Sequence, residues 1–352
     1  LGKKLLSMEI GSSDKFGYKS LKLLEVLPPF VACFRIALAI RDERNDGSDC
    51  FLQLELPESK EDYLPFFQDL IMSLEDDRQD NTAVILKNPD FPLFAKGKLL
   101  GDSCPVHAAL IHLTSPEVVK LPLSEIGIDE PTLILLDIYS IVYLGISGLI
   151  HGLIISKTPI AITAETRVYL TSFMKSINSP SYMRTGINGG KLSTTTSEGI
   201  LAQTVDLRTA IQYVLNDATV PSPEVVDIPE EVAFTEKVVD VSVYSTLRLS
   251  ISNNIPWLCI DSMFAHLLNA AGYPVVHSQK FLVGLGEKIS LKQKFYGLIG
   301  NGTFGLPFPT TFKEFYELSN SDLPGSHAAL AGILLTHEKL NLEAGQSLKL
   351  LS

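Results

Sequence analysis

The feature that most constrains this chain is a unit that recurs after residue 130: a short apolar run, an acidic residue that ends it, and an amphipathic stretch. Residues 132–136 (TLILL) are continuously apolar and stop at Asp137; Ile138, Ile141, Val142, Ile146, Leu149 and Ile150 then fall on one helical face. Residues 159–162 (PIAI) form a second run, with Glu165 three positions on. Residues 257–260 (WLCI) form a third, closed by Asp261. Met263, Phe264, Leu267, Leu268 and Ala271 follow at core-facing helical spacing, Gly272 stands as a C-terminal cap, and residues 274–276 (PVV) open another strand. Runs apolar on both faces, alternating with helices, predict an α/β fold with a parallel sheet flanked by helices.

Before residue 122 the pattern is different. Residues 30–40 (FVACFRIALAI) and 50–56 (CFLQLEL) read as strands around the turn-rich 46–49, residues 61–74 have helical spacing, and 82–86 (TAVIL) are a further apolar run. This predicts a small α+β or β-rich domain over 1–122. The α/β domain spans 130–285, with a long insert near 177–236, and 286–352 read as a helical extension. Within the insert, residues 178–199 are rich in Gly, Ser and Thr and are expected to be a mobile loop, 199–215 a helix, and 216–239 an acidic, Pro-marked linker.

Composition excludes several classes. Hydrophobic residues make up 45% and charged residues 20%, which rules out a disordered, collagen-like or coiled-coil chain. Lys and Arg number 29 against 40 Asp and Glu, a formal net charge of −11, so the surface as a whole does not suit nucleic acid or an anionic membrane. A local patch is another matter. Between 157 and 191 stand Lys157, Arg167, Lys175, Arg184 and Lys191 against one acid, Glu165; this is either a phosphate-holding strip or an ordinary mixed surface.

Four well-separated cysteines make neither a disulfide framework nor a zinc knuckle, and fit a reducing, cytoplasmic setting. The chain opens on Leu1 and reads as a piece of a longer polypeptide. Residues 133–155 are long enough to cross a bilayer. They carry Asp137, His151 and three glycines and have no basic flank, so a buried strand–helix pair is expected instead.

Carboxylates at the carboxyl ends of neighbouring parallel strands converge on one crevice. Asp137 and Asp261 have that position, Glu165 lies just past another strand, and Asp240 opens a helix (Val241, Tyr244, Leu247 and Ile251 on one face). Acids so gathered need a positive neighbour, and hard cations with oxygen ligands, Mg²⁺ or Mn²⁺, answer that need. Each acid also has a plain alternative. Asp137 and Asp261 are well placed to be helix N-caps, Glu165 to complement a helix dipole, and Asp240 to be solvated at the end of an acidic run. Residues 189–193 (GGKLS) miss the phosphate-loop pattern, the histidines lack ligand spacing, and there is no nucleophile elbow or dinucleotide fingerprint.

The stretches 133–140 (LILLDIYS), 163–165 (TAE), 240–244 (DVSVY) and 255–262 (IPWLCIDS), with 261–276 ending in NAAGYPVV, together resemble PIN-domain nucleases. The resemblance implies divalent-metal binding by Asp137, Asp240 and Asp261 with Glu165 assisting, and metal-dependent cleavage of single-stranded RNA. Arg167, Lys175, Arg184 and Lys191 would then lie on the substrate side. The position of Glu165, at the helix start, departs from the family, as does the long insert. That departure leaves open a catalytically silent PIN-like interaction module of a larger protein. Residues 97–102 (GKLLGD) resemble a turn in the C-terminal domain of bacterial transcript-cleavage factors, and read alone are an ordinary β-turn. The pairing of two such domains resembles large bacterial defence or conflict-system proteins, in which neighbouring domains of the polypeptide would be the partners.

Overall fold

The apolar runs that end in acids lie side by side. In the computed structural model Ile134–Leu135 (β3) pairs in parallel with Ile160–Ala161 (β4), Ile134 opposite Ile160 and Leu135 opposite Ala161. Single parallel bridges extend the pair on both sides: Thr219 joins Ala161, Trp257 joins Leu135, Val275 joins Trp257, and Ile128 joins Val276. The parallel arrangement is therefore two residues deep at β3 and β4 and one bridge wide beyond them. The molecule is mostly helical, with small sheets.

The structure describes residues 8–16, 19–44, 59, 84–99, 104–180, 182–188, 191–224, 229, 232–233 and 235–335. The chain divides into two units, 1–66 and 67–352.

In the first unit Ser13–Phe16 (β1) and Lys19–Lys22 (β2) form an antiparallel pair, and Pro29–Arg44 (α1) is a helix of 16 residues. The strand expected at 30–40 is therefore a helix. Pro29 opens it where a missing N–H costs nothing, and Ala32, Arg35, Ala37 and Ala39 are strong helix formers, so local propensity overrides a run that looks apolar enough for a strand. The expectations at 46–49, 50–56 and 61–74 fall outside the described residues.

The second unit begins its described part at 84–87, a helical turn in the run 82–86, followed by Leu93–Leu99 (α2) and Pro105–Thr114 (α3). These pack within this unit, ahead of residue 122. Gly97 to Leu99 are helical, so the first half of 97–102 is not a β-turn; 100–102 lie outside the described residues. After β3 come Ile138–Ile146 (α4) and Ile150–Ser156 (α5), then β4 and Ala164–Ile177 (α6).

α4 and α5 meet at 102°. Gly148 makes that break, at φ +73 and so close to the Gln293 carbonyl oxygen that a Cβ would stand 1.9 Å from it. Among the described residues no single helix is long and apolar enough to cross a membrane; the bent α4–α5 pair meets the length and composition test only when joined, and its core-facing side chains are buried in the unit.

The insert is more ordered than expected. Met183–Asn188 (β5) and Lys191–Thr196 (β6) form an antiparallel hairpin where a mobile loop was read. Thr185, Ile187, Thr194, Thr195 and Thr196 favour strand, and the Asn188–Lys191 pair brackets Gly189-Gly190 at the spacing of a two-residue hairpin connection. The single helix expected at 199–215 is two, Ser197–Gln203 (α7) and Val205–Asp217 (α8), meeting at Thr204. Val241–Asn253 (α9), Ser262–Ala270 (α10) and Ser278–Gly286 (α11) follow. Leu291–Phe304 (α12), Phe312–Ser319 (α13) and Ser326–Leu335 (α14) complete the described chain. One core of buried apolar residues runs from Leu86 to Ile333 around β3, α4 and Trp257.

Candidate acidic centre

All three candidate aspartates are helix N-caps. Asp137 ends β3 in extended backbone and opens α4, its Oδ1 accepting from the Ser140 N–H at 3.0 Å. The Ser140 hydroxyl lies between that same oxygen and the Leu258 carbonyl, tying the start of α4 to the Trp257 strand. Asp240 opens α9 and accepts from the Ser242 N–H at 2.8 Å and hydroxyl at 2.6 Å. Asp261 opens α10 and accepts from the Phe264 N–H at 3.2 Å on Oδ1. Its Oδ2 accepts from the Phe94 N–H, at the start of α2, at 3.0 Å. One carboxylate therefore caps two helices.

Asp137 and Asp261 are both buried, and burial pushes each up to about 6. Ser140 and the Trp257 indole pull Asp137 partly back; the Phe94, Phe264 and Leu93 amides and the Lys96 ammonium do so for Asp261. Asp137 Oδ2 is buried and has no hydrogen-bond partner. Lys96 is buried beside Asp261 and donates from Nζ to the Val119 carbonyl at 2.9 Å. Burial holds Lys96 below its ordinary value, against the pull of Asp261.

Two tyrosines feel the charge of the acids. The Tyr139 hydroxyl, 2.8 Å from His112 Nδ1, is raised by burial and then by Asp240, Asp137 and Asp261 in turn. Tyr169 is raised by burial, then by Asp240 and Glu165. Asp137, Asp240 and Asp261 thus all act on Tyr139 through their charge, behind the larger effect of burial. Glu165 is exposed in the first turn of α6, behind the Thr163 cap.

Among the described residues no group of three or more His, Cys, Asp or Glu side chains is gathered tightly enough to hold a metal ion. In kind the donors do fit a hard cation. They are carboxylate oxygens, one of them, Asp137 Oδ2, buried and unclaimed. What stands against such an ion in this conformation is that both oxygens of Asp261 are given to amides.

The basic strip divides. Arg167 donates from Nη2 to the Ala218 carbonyl at 3.0 Å, fastening α6 to the chain after α8, and Lys175 is exposed on α6. Arg184 and Lys191 sit on β5 and β6 at opposite ends of the hairpin ladder, in its second and sixth rungs. Beside Glu165 an open groove of about 190 Å³ is lined by Thr163, Ser222, Ser245 and Arg248. Arg248, Tyr139, Phe94 and Lys96 were not candidates in the sequence. Arg248 carried a signal, since it is a lone cation on an otherwise apolar and hydroxyl-bearing helix; the other three reach the centre only through tertiary contact.

Residues 135–270 match the family model described as the PIN domain associated with the TPR-GreAB-C-PIN system. The match runs from β3 to the last residue of α10, the stretch whose sequence resembles PIN domains, and bears out that recognition. No curated protein and no solved structure matches the chain.

Proposed function

We propose that residues 130–285 are a Mg²⁺- or Mn²⁺-dependent ribonuclease of the PIN type, acting on single-stranded RNA in the cytoplasm as one part of a larger conflict-system protein. The observation that carries this reading is the pair Asp137 and Asp261, each buried and each following a parallel-bridged run of the sheet, inside the matched segment.

Asp137, Asp240 and Asp261 would hold the cation, with Glu165 at the rim. When bound it would lower the pKa of a water and stabilise charge growing on the phosphodiester. Asp137 Oδ2, buried and not held by Ser140, is the oxygen of that carboxyl that would face the cation. Ser140 fixes the other oxygen of that carboxyl, so the free one has a single direction. Lys175 on α6, with Arg184 and Lys191 on the hairpin, would hold the phosphates leading away from the centre. The family's association with TPR and GreAB-C parts supports neighbouring domains as the partners.

The exposure of Glu165 and the full engagement of Asp261 favour a second reading, a silent PIN-like module that binds without cutting. Cleavage of mixed-sequence single-stranded RNA with Mn²⁺ separates them. The nuclease reading expects metal-dependent cutting by the wild type and loss in both Asp137→Asn and Asp261→Asn, each checked for folding by circular dichroism. A folded wild type that never cuts moves the assignment to the module.

A further inference from the structure

Helix α2 sits on the acids that the proposed reaction needs. The Phe94 ring is buried, stacked on Trp257 at 5.6 Å with 2° between planes, and edge-on to Tyr139 at 5.0 Å and Phe264 at 5.5 Å. The Phe94 amide occupies Asp261 Oδ2, and Lys96 is buried beside the same carboxylate. Gly97 lies so close to the centre that a Cβ there would stand 2.0 Å from the Tyr139 hydroxyl and 3.0 Å from the His112 ring. A small cavity against Asp261, between Phe91, Leu93 and Met263, has about 10 Å³. That is room for about one water and none for a phosphodiester.

The centre also holds polar groups in poor surroundings. Asp137 Oδ2 and Trp257 Nε1 are buried with no well-formed hydrogen bond, the indole acting on the carboxyl only weakly, while Asp261 draws on an ammonium itself taken out of water. Buried polar groups left so are costly, and α2 is held there by hydrogen bonds, ring contacts and the burial of Leu93, Phe94 and Ala95, with no covalent tie to the centre.

We propose that helix α2 is an intramolecular stopper, which docks into the crevice at the strand ends, keeps Asp261 from sharing a divalent cation with Asp137, and withdraws when the centre loads. The proposal rests on the nuclease reading for what the crevice is for. Phe94, Lys96 and Gly97 are its working parts: the first fills the crevice, the second answers the Asp261 charge, and the third permits the close approach.

The test uses the whole chain and Gly97→Ala. The added methyl cannot coexist with the docked Tyr139 hydroxyl, and in a withdrawn helix it costs nothing, since Ala is the better helix former. Calorimetric titration with Mn²⁺ is expected to show binding at least about tenfold tighter than wild type, because the competent population no longer has to be drawn from a docked one. Trp257 is the only tryptophan. Its emission should shift to the red in the variant, and in the wild type on adding Mg²⁺, with trypsin newly cutting after Lys96 in both cases.

Should Gly97→Ala not give a folded chain by thermal melting, Phe94→Leu removes the ring stacking at similar volume and is read in the same way. A folded, red-shifted variant that binds Mn²⁺ no more tightly than wild type overturns the stopper. So does a variant that binds no Mn²⁺ at all, or a wild type that loads with Trp257 and Lys96 unchanged. Tighter Mn²⁺ binding in an opened chain that cuts no RNA leaves the stopper standing and removes the nuclease reading alone.

Discussion

The Phe94 amide and the Asp261 carboxylate, 167 residues apart in sequence, meet at 3.0 Å in the interior. Asp261 thereby closes the starts of α2 and α10 with its two oxygens. A carboxylate can accept on both sides, whereas an amide side chain offers one acceptor and turns a donor to the other. Asp261→Asn therefore leaves one helix start uncapped, at a cost of about 1 kcal/mol. It also removes a buried charge that the wild type carries above pH 6. The two effects oppose at pH 8, and only the first remains near pH 4. The stability difference between wild type and Asp261→Asn should shift by about 3 kcal/mol across that range, the variant faring relatively better at the higher pH, as read by chemical denaturation.

The wild type itself should be most stable in mild acid. Asp137 and Asp261 have folded values near 6 against an ordinary 3.8. Between these limits the folded chain binds more protons than the unfolded one, so stability is fullest below the unfolded value and falls as pH rises through 6. Glu314 acts in the opposite sense. Burial alone would raise it, but Lys294 and Thr311 outweigh that and hold it below its usual 4.5, so its contribution is lost as pH drops further. The melting temperature should climb as pH falls from 8 to about 5, and turn down only once pH drops below about 3.8, the unfolded aspartate value. A profile that rises steadily from pH 5 to pH 8 would contradict the burial of the two aspartates.

The alternation of apolar run, acid and helix was legible because β3 and β4 are buried on both faces and their acids are spent as caps, a local arrangement that sequence spacing records. The caps at Asp137 and Asp261 could be read for the same reason, whereas Asp240, whose plain alternative was to be solvated, is also a cap. What could not be read was α2 upon Asp261. A contact across 167 residues leaves no periodicity, and Gly97 inside a seven-residue helix looks like a turn until the Tyr139 hydroxyl is seen to occupy the place of its side chain. The 30–40 run misled because apolar content alone does not separate a strand from a helix, and Pro29 was the deciding mark. The metal set stayed open for a related reason. Sequence order places acids at strand ends, while the choice of what each oxygen faces is made by neighbours such as Ser140 and Phe94.

Lys294 and Glu314 form a buried ion pair between α12 and α13, and Glu314 also accepts from the Thr311 N–H at 2.8 Å in a capping box. Removing one partner leaves a charge with nothing to answer it. Lys294→Met should cost about 3–5 kcal/mol. Lys294→Met with Glu314→Gln should recover a good part of the loss, since the amide still serves the Thr311 N–H. A double-mutant cycle in denaturant measures the coupling, and additive costs would show that the pair is not a unit.

Ser140 is the cheapest point at which to disturb the centre without touching a carboxylate. Its hydroxyl holds Asp137 Oδ1 and reaches the Leu258 carbonyl, so it fixes both the direction of the acid and the spacing of two strands. Ser140→Ala keeps the backbone N–H that caps α4 and deletes only the hydroxyl. The carboxyl then loses a bond that favours its charged form, and its pKa should move further up from about 6. Stability at pH 7 should drop by about 1–2 kcal/mol, the loss shrinking as the acid protonates at lower pH. The carbon-13 shift of the Asp137 carboxyl, followed from pH 4 to pH 8 in both proteins, measures this directly. A midpoint unchanged by the substitution would mean that burial alone sets the acid and that Ser140 serves only to join the strands.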